Sequence, residues 1–134
     1  MIIKRNRFIP FGNFKAINIF GILFAKNNAR IDDTTIRHEK IHTEQIKEVT
    51  MLVTIPMLLI GILVSWWLAI PLWIGSYYIL YGLEFLIKLF WYRVFKDAYR
   101  NIGHEREAHF HQSEIDYLEY RNSLQWMKYI FRKP

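Results

Sequence analysis

The sequence predicts a mainly α-helical protein embedded in a membrane, and three observations support this fold class. No charged residue occurs between Val49 and Leu83. Hydrophobic residues make up 52% and aromatic residues 17% of a chain of 134 residues, and both fractions are high for a soluble protein of this size. A His-Glu-Lys-Ile-His motif with helical spacing precedes the uncharged run. We therefore expect a single membrane-embedded domain over residues 1–134.

Residues 1–33 are expected to form a strand region. The segment from Lys15 to Phe24 is rich in residues that favour strands, and Lys26-Asn27-Asn28 predicts the turn that ends it. We expect a short edge strand, or one half of a β-hairpin formed with residues 5 to 11. Such an edge can bind a peptide as an additional strand, or it can simply cover the next helix, and the sequence favours neither use.

Residues 34–48 are predicted to form a helix that carries the His-Glu-Lys-Ile-His motif. Asp32 and Asp33 precede this helix, and acidic residues suit a helix N-terminus. His38 and His42 are four residues apart, so both imidazoles can bind one metal ion, and Glu39 projects beside them. The chain has no cysteine, so the metal must use nitrogen and oxygen ligands. The pattern predicts a Zn²⁺ site in which Glu39 is the catalytic general base.

The uncharged run predicts an apolar transmembrane hairpin over residues 49–91. The first arm, Val49 to Leu68, would span about 30 Å at about 1.5 Å per residue, and Pro71 would begin the second arm. Pro56 is expected to kink the first arm. Aromatic rings favour the headgroup level, and two groups are expected there, one at the bend and one at the exit from the bilayer. They are Trp66, Trp67 and Trp73, then Phe90, Trp91 and Tyr92.

Charged residues define how the hairpin is expected to lie in the membrane. Glu84 and Lys88 are four residues apart near the end of the second arm, and we expect them to pair with each other. The net charge of +6 comes from residues on both sides of the uncharged run. By the positive-inside rule, both termini and the zinc site face the cytoplasm. The basic residues lie in the segments that flank the predicted membrane hairpin, and this position explains them. The lipid bilayer is therefore an expected partner and nucleic acid is not.

A helix over residues 104–121 is expected to supply the third metal ligand. Glu105 and Glu107 are two residues apart and cannot face the same way, so only one of them should bind zinc. Glu105 is preferred because His109 lies one turn further on the same face and can hydrogen-bond a ligand histidine. Glu107 followed by His111 is the alternative pair.

Two further expectations concern the last third of the chain. His104 or His109 is a candidate for stabilising the oxyanion of a reacting carbonyl. Residues 123–133 are expected to form an amphipathic helix that lies on the membrane or packs against the hairpin. Its apolar side would consist of Leu124, Met127, Ile130 and Phe131.

The two motifs together resemble those of the gluzincin metallopeptidases. His38-Glu-Lys-Ile-His42 followed by Glu105-Arg-Glu-Ala-His109 is most similar to the membrane-embedded members, namely the prenyl-protein and heat-shock membrane peptidases and the β-lactam-sensor peptidases. It is also similar to small membrane proteins that carry both motifs. The resemblance implies that His38, His42 and Glu105 are zinc ligands and that Glu39 is the base. His109 departs from the pattern, since those relatives usually have aspartate or asparagine there.

Two functions follow from these predictions. The first is an integral membrane zinc endopeptidase that hydrolyses peptide or protein substrates at the cytoplasmic face of the membrane. The alternative is a non-catalytic zinc-binding membrane scaffold or regulatory protein, because so short a chain can form few walls around a substrate cleft. Glu39 favours the first function, since a metal scaffold needs no general base beside an open coordination position.

Overall fold

The computed structural model describes residues 1–9 and 14–131, and these form a small β-sheet followed by six helices. The strands are β1 (Ile2–Asn6), β2 (Ala16–Ile19) and β3 (Ile22–Lys26). The helices are α1 (Asp33–Leu63), α2 (Trp66–Tyr92), α3 (Phe95–Arg100), α4 (Gly103–His111), α5 (Tyr117–Tyr120) and α6 (Met127–Ile130). The predicted mainly helical fold with strands at the N-terminus is confirmed.

The sheet has the order β1-β3-β2, which differs from the predicted pairing. The segment expected to form one strand is itself a hairpin, in which β2 and β3 are antiparallel, and β1 runs parallel to β3. The expected hairpin with residues 5 to 11 is therefore wrong, and residues 10 and 11 lie outside the described residues. Phe20 (φ 51°) and Gly21 (φ 81°) form the two-residue turn, whose left-handed conformation suits a tight hairpin.

The turn is held against the second long helix by Tyr78. The Phe20 backbone N–H donates to the Tyr78 hydroxyl at 2.9 Å, and the two rings meet edge to face with centroids 5.3 Å apart. These contacts stabilise Phe20 in a conformation that large side chains seldom adopt. The prediction failed because an aromatic residue gives no local signal for this turn.

Helix α1 joins the predicted motif helix and the predicted first membrane arm into one element of 31 residues. Asp32 is its N-cap, with the carboxylate accepting from the Thr35 backbone N–H at 2.8 Å. Pro56 lies inside α1, which is helical on both sides of it. Because the helix is continuous, the His-Glu-Lys-Ile-His motif is rigidly connected to the apolar run.

The bend of the hairpin comes earlier than expected, at Val64 and Ser65. Their backbone N–H groups both donate to the Ile60 carbonyl, at 2.9 and 3.0 Å, and this closes α1. Pro71 consequently lies inside α2 and does not begin it, and the first arm ends at Leu63 and not at Leu68. Trp66 and Trp67 adjoin the bend as predicted.

Trp73 contradicts the prediction that it belongs to the bend. Its indole N–H lies 3.2 Å from both the Thr50 carbonyl and the Thr54 hydroxyl, well inside α1. Further along α2, the Tyr77 hydroxyl lies 3.2 Å from Nδ1 of His42. Successive residues of α2 thus contact earlier residues of α1, and the two helices are antiparallel.

Glu84 and Lys88 do not form the predicted pair, because each has a partner on another element. The Glu84 carboxylate accepts from the Gly103 backbone N–H at 2.8 Å, at the start of α4. The Lys88 ammonium donates to the Ile130 carbonyl at 2.7 Å, at the end of α6. These two side chains hold the C-terminal segments against α2.

The C-terminal helices are shorter than predicted. In place of one helix over 104–121, α4 ends at His111, and a turn leads to the short helix α5. The turn brings Arg121 back to α4 and α1, where its guanidinium pairs with the buried Glu107 and with Glu48. The expected helix over 123–133 is restricted to α6 within the described residues, and it packs against α4 and α2.

Helices α1 and α2 are both long and apolar enough to cross a membrane. Large apolar side chains on their outer faces are exposed. They are Met51, Leu52, Ile55, Leu58, Leu59 and Ile62 on α1, and Trp67, Leu83, Leu86, Phe90 and Trp91 on α2.

Gly61 allows the two helices to meet at the bend, and we expect Gly61→Ala to destabilise the protein. A Cβ atom there would lie 2.4 Å from the Trp66 ring, and overpacking of this kind typically costs about 1–3 kcal/mol. Gly82→Ala is the matched control, because a Cβ at Gly82 has nothing within 4 Å. Thermal unfolding in detergent should show a lower midpoint for Gly61→Ala alone. Equal midpoints for the two variants would contradict this packing.

Candidate metal site

Helices α1 and α4 bring His38, His42 and Glu105 together in a group that could hold a metal ion. Nε2 of His38 and Nε2 of His42 are 3.0 Å apart, and they lie 3.5 and 3.3 Å from the Glu105 carboxylate oxygens Oε2 and Oε1 respectively. A tetrahedral ion with ligand distances of about 2.0–2.1 Å has ligand atoms about 3.3–3.4 Å apart. The three groups therefore have the spacing of ligands to one small ion.

The protonation state of His42 is determined by Gln45. The Gln45 amide nitrogen donates to Glu107 at 3.0 Å and to the His104 carbonyl at 3.1 Å, which fixes the orientation of the amide. Its oxygen lies 2.7 Å from Nδ1 of His42. Because an amide oxygen only accepts hydrogen bonds, Nδ1 carries a proton, and Nε2 is the nitrogen that can bind a metal when the imidazole is neutral.

His38 has an equivalent partner in Gln112, at the C-terminal end of α4. The Gln112 side-chain oxygen lies 3.2 Å from Nδ1 of His38, and the Gln112 backbone carbonyl accepts from Arg37 at 2.8 Å. In the tautomer that carries its proton on Nδ1, Nε2 of His38 also has a lone pair. Two Nε2 atoms 3.0 Å apart can share either a proton or a metal ion, so the pair has the spacing of a site that could hold a metal.

The Glu105 carboxylate is buried and only partly hydrogen-bonded. Oε1 accepts from the Tyr81 hydroxyl at 2.8 Å, whereas Oε2 is buried without a hydrogen-bond donor among the described residues. Burial alone would favour the neutral acid, but the imidazoles of His42 and His38 hold the pKa of the Glu105 carboxyl well below its usual range. An ionised carboxylate with one unpaired oxygen toward two histidines fits a metal ligand.

Glu107 does not lie with the histidines. It is fully buried and receives hydrogen bonds from Gln45, from the Tyr117 hydroxyl at 2.8 Å and from Arg121. Its predicted companion His111 contacts Glu114 at 2.9 Å and the Tyr129 hydroxyl at 2.8 Å. The structure thus places Glu105 at the candidate metal site and Glu107 in a buried ion pair.

His109 and His104 differ from their predicted placements. The His109 ring meets the His38 ring edge to face, 4.7 Å between centroids, and its Nε2 lies 3.6 Å from Glu105, too far for a hydrogen bond. Gln112, and not His109, partners the Nδ1 atom of His38. His104 is buried and stacks on Trp126 with centroids 4.1 Å apart, so it faces away from the candidate site.

Glu39 lines a cavity of about 260 Å³ that adjoins His42 and Glu105. Its backbone carbonyl accepts from the Asn18 side chain at 2.6 Å, which fixes strand β2 beside the motif helix. The cavity is otherwise lined by apolar and aromatic residues of β2, α2 and α3 and of the residues that precede β2. These are Phe14, Ala16, Ile17, Asn18, Tyr77, Tyr78, Tyr81, Phe85, Phe95 and Tyr99.

Several residues that position the site were not predicted from the sequence. Gln45 follows His42 by three residues on one helix, and this spacing could have indicated a hydrogen-bonded neighbour. Gln112, Tyr81 and Tyr99 gave no such signal, because they approach the site only through the tertiary fold. Burial and the nearby Glu105 raise the pKa of the Tyr99 hydroxyl, so it remains a hydrogen-bond donor beside that carboxylate.

We expect Glu105→Gln to lose a bound divalent metal and Glu107→Gln to retain it. The first substitution removes the anionic ligand, whereas the second changes a side chain outside the His38, His42 and Glu105 group and keeps an amide oxygen that can still accept from Gln45. Elemental mass spectrometry of the detergent-purified proteins, loaded with Zn²⁺ and desalted, measures the metal content. Loss of metal in Glu107→Gln but not in Glu105→Gln would reverse the assignment.

We expect Gln45→Met to weaken metal binding about 10–100-fold, the usual cost of removing a hydrogen-bond partner of a ligand histidine. Methionine has a similar length but cannot hold the Nδ1 proton of His42 in place. Competition with a chromophoric chelator measures the affinity. Glu44→Gln is the control, because Glu44 is exposed and pairs with Lys47 at 2.7 Å on the outer side of α1. An unchanged affinity in Gln45→Met would show that this contact does not orient a ligand.

Comparison with known proteins leaves the site to be interpreted from its own geometry. Neither a protein-family model, nor a curated protein, nor a solved structure matches this chain. What the chain does must therefore be inferred from the side chains around His38, His42 and Glu105.

Proposed function

We propose that this protein is an integral membrane zinc endopeptidase in which His38, His42 and Glu105 bind Zn²⁺. The observation that carries the proposal is the pair of facing Nε2 atoms, 3.0 Å apart, beside a buried carboxylate oxygen that has no hydrogen-bond donor among the described residues. Two histidines and one carboxylate are a common ligand set of catalytic zinc sites, which leave a fourth position open. The cavity next to the site supports access for a substrate.

Glu39 is the proposed general base. Zn²⁺ would supply Lewis acidity to a peptide carbonyl and to the attacking water, whose pKa falls to about 7 at such sites. Glu39 lines the same cavity as His42 and Glu105, where it can accept a proton from that water and pass it to the leaving amine. The Asn18 side chain donates to the Glu39 backbone carbonyl, which fixes the backbone of Glu39 beside β2.

Strand β2 is the proposed binding edge for a peptide backbone. The Lys26 N–H donates to the Lys15 carbonyl at 3.1 Å, so the hydrogen-bonded pairs with β3 fall at odd positions of β2. The N–H and C=O groups of Ala16 and Asn18 consequently point away from β3, and the Tyr78 hydroxyl lies 3.5 Å from the Asn18 carbonyl. Both residues also line the cavity. An extended peptide could pair with this edge as an additional strand.

The proposed location is the cytoplasmic membrane, with the zinc site and both termini on the cytoplasmic side. Nine Lys and Arg residues precede Val49, nine follow Leu83, and the segment between them has none. This asymmetry supports a cytoplasmic site by the positive-inside rule. His42 lies 21 residues before the end of α1, about 31 Å along the helix, so the site would lie near the membrane surface opposite the bend.

We expect Glu39→Gln to abolish peptide cleavage while zinc remains bound, because glutamine keeps the size of the side chain but cannot accept the proton. Cleavage of a peptide library by the zinc-loaded protein, followed by mass spectrometry, measures the activity, and elemental analysis measures the zinc. Glu44→Gln, the same substitution on the outer side of α1, should retain both. Equal cleavage by Glu39→Gln and wild type would contradict the proposed mechanism.

The same experiment separates the enzyme from a non-catalytic zinc-binding membrane scaffold. A scaffold binds zinc in the wild type and in Glu39→Gln and cleaves no peptide in either form. The buried position of Glu39 beside an accessible cavity favours the enzyme, since a carboxylate there has no role in a scaffold.

A further inference from the structure

The cavity beside the candidate metal site is apolar although four tyrosines line it, because their hydroxyls are turned toward protein partners. Tyr77 contacts His42 and Gln45, and Tyr81 donates to Glu105. Tyr78 is engaged by the backbone N–H of Phe20, and Tyr99 lies against Glu105 and Tyr81. A ligand in the cavity would therefore contact the tyrosine rings and not their hydroxyls.

The far side of the cavity is also aromatic. Phe85 of α2 and Phe95 of α3 meet edge to face with ring centroids 5.1 Å apart, and both line the space. The near side carries Glu39, His42 and Glu105. The cavity therefore has polar side chains on one side and aromatic rings on the other. Its volume of about 260 Å³ accommodates one large side chain and not a folded segment.

We propose that this cavity selects peptides with a large apolar or aromatic side chain next to the bond that is cleaved. We assign a peptide side chain to the cavity because Ala16 and Asn18 of β2 line it. A peptide backbone paired with these two residues would project alternate side chains past the edge of the strand. The proposal rests on the proposed peptidase function and adds its substrate class. Phe85 and Phe95 are the residues that determine this preference for a large apolar side chain.

The test compares two peptides that differ only in one residue beside the cleaved bond, Phe in one and Ala in the other, with zinc-loaded full-length protein in detergent. The bond is first located with a peptide library. Wild type should cleave the Phe peptide with a kcat/KM at least about 10-fold higher, because a single methylene group in an apolar pocket is already worth about 10–200-fold. Phe85→Ala should reduce this ratio at least about 10-fold, mainly through the Phe peptide.

Phe90→Ala is the matched control, because Phe90 lies on the same helix but is 82% exposed and does not line the cavity. It should leave the ratio unchanged, and zinc content verifies that each variant keeps the site. Phe85→Leu, a milder change, should reduce the ratio by less than Phe85→Ala. Cleavage without apolar preference, or an equal change of both peptides in Phe85→Ala, would overturn the inference but leave the peptidase function. Failure of zinc-loaded wild type to cleave any peptide would overturn both.

Discussion

The facing Nε2 atoms of His38 and His42 are the constraint on which the site depends. At a separation of 3.0 Å they can share a proton or a metal ion, and the side-chain oxygens of Gln45 and Gln112 lie at hydrogen-bond distance from the two Nδ1 atoms. Gln45 also connects this pair to the interior, because its amide nitrogen donates to Glu107, which is held in turn by Arg121. A buried ion pair is costly to disrupt, and here it anchors the residue that orients a ligand. The chemistry of the site and the packing of α1 against α4 are therefore coupled.

Helix α1 links this site to an apolar stretch that is long enough to cross a membrane. One element of 31 residues carries the histidines near its N-terminus and the apolar face near its C-terminus. Helix α2 returns antiparallel to it and supplies Tyr77 and Tyr81 to the site and Glu84 to the start of α4. The two long apolar helices thus also serve as walls of the cavity. Each of the two long helices therefore contributes both to the candidate site and to the apolar hairpin.

Sequence patterns predicted which residues share one face of a helix. They did not predict pairings between side chains on different helices and strands. The positions of His38, Glu39 and His42 on one helix followed from their spacing, and the same argument showed that only one of Glu105 and Glu107 could face the ion. Glu105 was preferred because of His109, but in the structure Gln112 partners Nδ1 of His38. The pairing of Glu84 with Lys88 was wrong because each finds a better partner on α4 or α6, which local spacing does not encode. The segment from Lys15 to Phe24 was predicted as one strand because Phe20 gives no local signal for a turn. The turn there is stabilised by a contact with Tyr78 on another element. Gln112 and Tyr81 approach the ligands across the fold and leave no pattern in the sequence.

The most direct test of the central claim is X-ray absorption at the zinc edge on the zinc-loaded protein in detergent. We expect a four-coordinate site with two imidazole nitrogens and a carboxylate oxygen at about 2.0–2.2 Å, and loss of one imidazole signal in His42→Ala. A zinc environment of oxygen ligands alone, or a spectrum unchanged in His42→Ala, would show that the facing histidines are not metal ligands.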